Sequence, residues 1–234
     1  MDPFKRKTVL ALLALPAGCG ISPALPPLRT EPLAGPGSEP KIRPPAIGQS
    51  WTYQKFDRFN SDLVATEREE VTAVDPKIII SRKTEAGMVL PEEHDSQWGQ
   101  VVRDPIWDVV QNYVDPVPLW PQSLAIGTST LIRTRYRLDN KSYAYWITIN
   151  TTVKAWEKIY LPKGEFNALR IEKLIKIQHM DLSRISTTRW ETLWLVPEIG
   201  RWAARETMGL YRTTERDGDD GREDKFRWEL TAWT

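Results

Sequence analysis

Cysteine, histidine, charge of one sign and long apolar runs are all scarce in this chain of 234 residues. There is one cysteine, Cys19, and there are two histidines, His94 and His179. A single cysteine excludes an internal disulfide framework, and two distant histidines are poor material for a zinc site, which needs three or four ligands. No metal or cofactor is expected. The net charge of +1, from 32 basic and 31 acidic residues, excludes the strong basic excess of a nucleic-acid binder. The apolar run Thr8–Leu15 has roughly half of the ~20 residues that span a bilayer. His94 lies in Pro91-Glu92-Glu93-His94-Asp95-Ser96, read as a polar loop. Neighbouring residues of one loop do not reach triad geometry, and no Gly-x-Ser-x-Gly elbow occurs. No catalytic residue is assigned, and an enzyme is not expected.

What is present begins at the N-terminus. Lys5, Arg6 and Lys7 precede the apolar run, which ends in Leu15-Pro16-Ala17-Gly18-Cys19. A positive segment, a short apolar segment and small residues before a cut are the parts of a secretory signal. The string resembles a bacterial lipobox, with Pro16 at the position that is usually leucine. The resemblance implies a signal peptide over 1–18 and acylation of Cys19. Two or three acyl chains, at about 0.8 kcal/mol per buried methylene, make a stable anchor. Gly20, in place of the aspartate that retains such proteins in the inner membrane, implies an outer-membrane lipoprotein facing the periplasm. An ordinary secretory signal with an incidental cysteine is the alternative.

Prolines at 23, 26, 27, 32, 36, 40, 44 and 45 make residues 19–45 an expected tether. Fully extended, ~25 residues reach ~75 Å. From residue 46 the pattern is period-two: Tyr145, Ile147, Ile149; Leu169, Ile171, Ile175, Ile177; Trp190, Thr192, Trp194, Val196; Trp202, Ala204, Met208, Leu210; Phe226, Trp228, Leu230, Ala232. Such alternation predicts strands with one buried face. Pro162-Lys163-Gly164, Pro197-Glu198-Ile199-Gly200 and Asp217–Gly221 are turn signals, so the fold class is mainly β, an antiparallel meander forming a curved sheet or unclosed barrel over 46–234. Asp104-Pro105 followed by Ile106, Val109, Val110 and Tyr113 predicts one short helix at about 105–114. Ile47-Gly48-Gln49-Ser50 and Ile126-Gly127-Thr128-Ser129 suggest two related halves, 46–125 and 126–234.

IGQSWTY (47–53), PLWPQSLAIGTS (118–129), VKAWEKIYLPKGEFNALRIEKL (153–174), WETLWLVPEIGRWAARE (190–206) and WELTAW (228–233) together resemble a group of bacterial envelope proteins of unknown function. That resemblance implies a convex antiparallel sheet loosely similar to the lipoprotein carriers LolA and LolB. Its motifs specify hairpins, not chemistry.

Trp190, Trp194, Trp202 and Trp228 fall on the apolar faces of the last strands, and a curved sheet would bring them to its concave side. They are the candidate face for an apolar ligand, against the alternative of a packed aromatic core. Arg133, Arg135 and Arg137 share the opposite face from Ile132, Tyr136 and Leu138. They are expected to pair with glutamates on a neighbouring strand, with lipid phosphates or polysaccharide as the alternative. The acidic loop Asp217–Asp224 lacks the length and distal glutamate of an EF-hand. The expectation is a non-catalytic binding or structural module, held to the membrane through Cys19, with a lipid or an envelope protein as partner; the alternative is a LolB-like carrier of acyl chains.

Overall fold

The computed structural model describes residues 24–214 and 220–234. Cys19 and most of the Asp217–Gly221 turn lie outside them. The strands are β1 (Thr30–Pro32), β2 (Ser50–Asp57), β3 (Leu63–Ala73), β4 (Ile78–Thr84), β5 (Val89–Gln97), β6 (Gln100–Asp104), β7 (Gln111–Pro118), β8 (Ser129–Arg137), β9 (Tyr145–Leu161), β10 (Gly164–Ile177), β11 (Arg184–Val196), β12 (Arg201–Thr213), β13 (Asp220–Arg222) and β14 (Phe226–Trp233). Each pairs antiparallel with its neighbour, as the hairpin turns predict. Gly164 and Gly200 take the positive φ (136° and 73°) that their turns require.

The sheet closes, which corrects the expected open curve. Twelve strands form the cycle β9-β10-β11-β12-β14-β2-β3-β4-β5-β6-β7-β8, and β8 returns to β9 through eight residue pairs from Ser129↔Thr152 to Tyr136↔Tyr145. Closure removes the two unpaired edges that an open sheet would expose. The thinnest seam is β7–β8, with only Asn112↔Arg137 and Tyr113↔Tyr136 in register. The two glycine-containing starts make matching hydrogen bonds: Gly48 N–H to Val71 O and Gln49 N–H to Ala46 O; Gly127 N–H to Val153 O and Thr128 N–H to Ala125 O.

Three further expectations change. The helix at 105–114 does not form: residues 105–110 are an irregular loop and 111–118 are β7. Asp104 Oδ1 accepts from Ile106 N–H (3.0 Å), as a capping aspartate would, but a helix of about ten residues is marginal alone, and pairing with β6 and β8 completes the barrel. The segment read as a polar loop around His94 is strand β5. And residues 24–45 are not a free tether. β1 pairs with Glu157–Ile159 of β9. Leu33 N–H donates to Trp156 O (3.0 Å), and Arg43 N–H donates to Pro197 O (2.8 Å). Arg43 O accepts from Trp98 Nε1 (3.1 Å), and Glu39 accepts from Leu124 N–H. A side chain at Gly200 would meet Arg43 O at 2.5 Å, so this glycine also permits the close approach. The prolines keep the segment extended while Leu28, Leu33 and Ile42 pack on the core.

Residues 33–43 thereby cross the end of the barrel where the β5–β6, β11–β12 and β7–β8 connections lie. The loop 105–110 folds over the other end, with Ile106 buried and Asp108 bonded to Arg189 of β11.

Candidate functional sites: a charged lumen, its mouth and the outer wall

Small barrels are filled by apolar side chains, but the lumen widens with strand number. Here long charged side chains and indole rings reach across it. The inward positions of β3 and β5 are Glu67, Glu69, Glu93 and Asp95; those of β11 and β12 include Arg189, Glu191, Arg201 and Arg205, and Lys173 points inward from β10. Arg201 is fully buried. Its Nε donates to Glu69 (2.7 Å), and its two terminal nitrogens form a bidentate pair with Glu93 (3.0 and 3.0 Å). Arg82 donates to Glu67 (2.7 Å), while Lys173 and Arg205 share Glu191 (2.9 and 2.7 Å). Aromatic rings pack between these pairs. Tyr53 stacks on Trp202 with centroids 4.0 Å apart, and Trp228 Nε1 donates to Glu67 (3.3 Å).

Buried charges persist only when paired, and the lumen meets this condition. Burial pushes Glu191 upward, but Arg205 and Lys173 outweigh it and hold the carboxyl at about 2. Among fully buried lumen side chains there are six acids (Glu67, Glu69, Glu93, Asp95, Asp104, Glu191) and four bases below the mouth (Arg82, Lys173, Arg201, Arg205). The acids outnumber these bases by two, and Lys55, partly buried beside Glu67 (3.9 Å), offsets part of that excess. Burial and the neighbouring Glu93 push Asp95 up to about 8, and burial raises Asp104. Asp95 Oδ2 accepts from Gly99 N–H (2.9 Å), which opposes the rise, and its other oxygen has no partner. Most of the lumen's charge is thus matched by ion pairs.

At the mouth, Asp108, His179 and Glu223 offer atoms within 4.8 Å of one another. Arg189 occupies the cation position among them, donating to Asp108 (2.9 Å) and Glu223 (2.5 and 2.9 Å), with Trp107 stacked 4.4 Å from its guanidinium. His179 Nδ1 accepts from Asp181 N–H, which leaves the proton on Nε2, 3.7 Å from Asp108. Burial raises the Asp108 carboxyl, but His179 and Arg189 outweigh it, leaving it at about 2. A divalent ion would have to displace an arginine already matched by two carboxylates, so the group fits an ion pair better than a metal.

The four tryptophans do not form one face. Trp202 and Trp228 are in the lumen, whereas Trp190 and Trp194 point outward. Trp194 donates to Glu157 (2.9 Å) and lines an outer groove with Leu25 and Leu28 of the docked N-terminal segment; Trp190 remains 37% exposed. The buried face of β11 is Thr187, Arg189, Glu191, Leu193 and Leu195, so the apolar alternation marks its outer side. An irregularity in register between Trp194 and Leu195 places Trp202 opposite Leu195, facing in. His94 points outward, near Glu92 (3.1 Å) and Lys77 (3.2 Å), while Asp95 points inward, so no triad assembles there. Arg133, Arg135 and Arg137 are on the outer wall, but opposite Thr148, Trp146 and Asn112 instead of glutamates. Sequence reasoning missed the lumen network; its one visible signal was Lys173, which interrupts the apolar face of β10.

Fold and interior together define a closed, twelve-stranded antiparallel barrel with a charged, ion-paired lumen. No protein-family model matches the chain, and no curated protein sequence matches it. Its fold is similar to a crystal structure from Parabacteroides distasonis, described as a predicted lipoprotein, with a TM-score of 0.52 at 12% identity over 84% of this chain and 100% of that one. A predicted exported protein of YmcC-like fold from Bacteroides fragilis aligns over the same shares, with a TM-score of 0.47 at 13% identity.

Proposed function

We propose that this chain is an envelope lipoprotein, anchored in the outer membrane through an acylated Cys19 and presenting its barrel to the periplasm as a non-catalytic binding or structural module. The lipobox-like string before Cys19 supports the anchor, and the description of the P. distasonis neighbour as a predicted lipoprotein agrees with it. The observation that carries the module reading is the lumen. Its charges satisfy one another, and segments 33–43 and 105–110 cover its two ends. An acyl chain placed there would lie against Glu67, Glu69, Glu93 and Arg201, a setting that weighs against the LolB-like carrier. The module therefore works through its outer surface, toward a lipid or protein partner. Labelling with radioactive palmitate tests the anchor: the wild type takes up label and fractionates with outer membranes, and Cys19→Ala does neither. Equal labelling of the two proteins would contradict it.

A further inference from the structure

Alternation along β8 turns Thr134 and Tyr136 into the lumen and leaves Leu131, Arg133, Arg135 and Arg137 on the outer wall. Arg133 and Arg135 lie over the ring of Trp146, at 4.5 and 5.5 Å. Neither these arginines, nor Arg137, nor Lys176 across the sheet has an ion-pair partner among the described residues. The nearby Glu172 is already matched by Lys154 and Arg170. Register places Leu131, Asn150, Leu174 and Trp190 in one row beside these cations, with Leu131 71% exposed and Trp146 46% exposed. Unmatched arginines over an indole, beside exposed aliphatic groups, are the chemistry of a surface that sits among lipid headgroups: the stems and rings enter the interface and the cations meet phosphate.

The N-terminal segment also leaves along the side of the barrel. Leu25 and Leu28 line an outer groove with Thr192, Trp194 and Glu206, and Pro26 O accepts from Arg227 of β14 (2.7 Å), so the segment exits over the outer wall of β11–β14. Cys19 is five positions before Ala24, a reach of at most ~17 Å. An acyl group on Cys19 would therefore hold the side of the barrel close to the bilayer, not the ~75 Å away that a free tether allows.

We infer that the outer wall of β8–β11 docks on an anionic phospholipid surface, orienting the barrel side-on to its own membrane. This rests on the acylation of Cys19 proposed above. The test uses the full acylated protein in vesicles of phosphatidylethanolamine and phosphatidylglycerol. An environment-sensitive fluorophore is attached at Leu131→Cys or, as a reference across the barrel, at the exposed Thr72→Cys. Expected are blue-shifted emission and quenching by lipid-borne nitroxide at position 131 and not at 72. Each arginine near an anionic surface adds roughly fivefold to partitioning, so Arg133→Glu with Arg135→Glu should lower the docked fraction by tens of fold while the protein still floats with the vesicles. Flotation with equal signals at 131 and 72 overturns the docking alone. So do equal signals accompanied by retention on an immobilised acidic polysaccharide, which would assign the face to that polymer. Loss of flotation overturns the anchor and the docking together.

Discussion

Below the mouth, strands β2–β7 bring five buried acids to the lumen (Glu67, Glu69, Glu93, Asp95, Asp104) and one buried base, Arg82; strands β8–β14 bring three bases (Lys173, Arg201, Arg205) and one acid, Glu191. The first half alone would bury a formal charge of −4 (1 − 5) and the second +2 (3 − 1). The two halves are alike in strand number and in the hydrogen bonds at their starts, yet neither can keep its inner face dry without the other. Arg201 of the second half pairs across the lumen with Glu69 and Glu93 of the first. Arg201 is the main tie, because it joins β12 to β3 and β5 at once. The hydrogen bonds at the two starts match, and the charges the two halves carry differ. What looks like a repeat is held together as a complement.

The harshest way to break the comparison is to separate the halves. Residues 46–125 expressed alone should stay unfolded, with no near-ultraviolet circular dichroism; a cooperative transition in that fragment would show that its acids need no partner. Next in size, Arg201→Met strands Glu93 without its bidentate partner and leaves Glu69 with Arg82 alone (3.4 Å), and should cost about 3–5 kcal/mol in urea unfolding. Lys173→Met leaves Glu191 with Arg205 and should cost less, about 1–3 kcal/mol.

Asp95 sharpens the picture through pH. Its folded value of about 8 stands above its ordinary 3.8. Below about pH 4 both states hold the proton, and between about 4 and 8 the unfolded chain releases it while the fold keeps it. The contribution of this group therefore falls as pH rises through that window and is level above it. Asp95→Asn should be more stable than the wild type by about 1–3 kcal/mol at pH 8, with the gain vanishing near pH 4. A pH-independent difference in urea midpoint would show that Asp95 is ionised in the fold. The smallest effect is expected at the β7–β8 seam. There Asp139 accepts from Arg103 (2.6 and 3.0 Å) and Asn112 (2.9 Å) but is half-exposed. Asp139→Ala should cost about 0.5–1 kcal/mol and be felt less in high salt.

Strands, hairpins and their order were legible because β-strands announce themselves by period two and the turns by proline and glycine. Which face of a strand looks inward was not. On β10 the apolar face is the inner one. On β11 the Trp190-Thr192-Trp194 face is the outer one, and Arg189 and Glu191 are buried. An alternation names two faces, and the usual rule, apolar inside, fails where a wide lumen is filled by ion pairs. Those pairs join residues as far apart as Glu69 and Arg201, which no local pattern connects. For the same reason β5 read as a polar loop: its inner residues are Glu93 and Asp95. The prolines of 24–45 correctly indicated an extended chain but carried no sign of the contacts with Trp98, Trp156 and Pro197 that dock it.

The account turns on the lumen being occupied by the protein's own charges, with any partner met outside. Native mass spectrometry of the full acylated protein, released gently from its membrane and then offered phospholipid, tests this most directly. The mass should be that of the chain with its covalent acyl groups, and Arg201→Met should bind no more lipid than the wild type. A tightly held lipid that survives activation of the wild type, and is lost when the lumen-lining Trp202 or Trp228 is replaced, would contradict it.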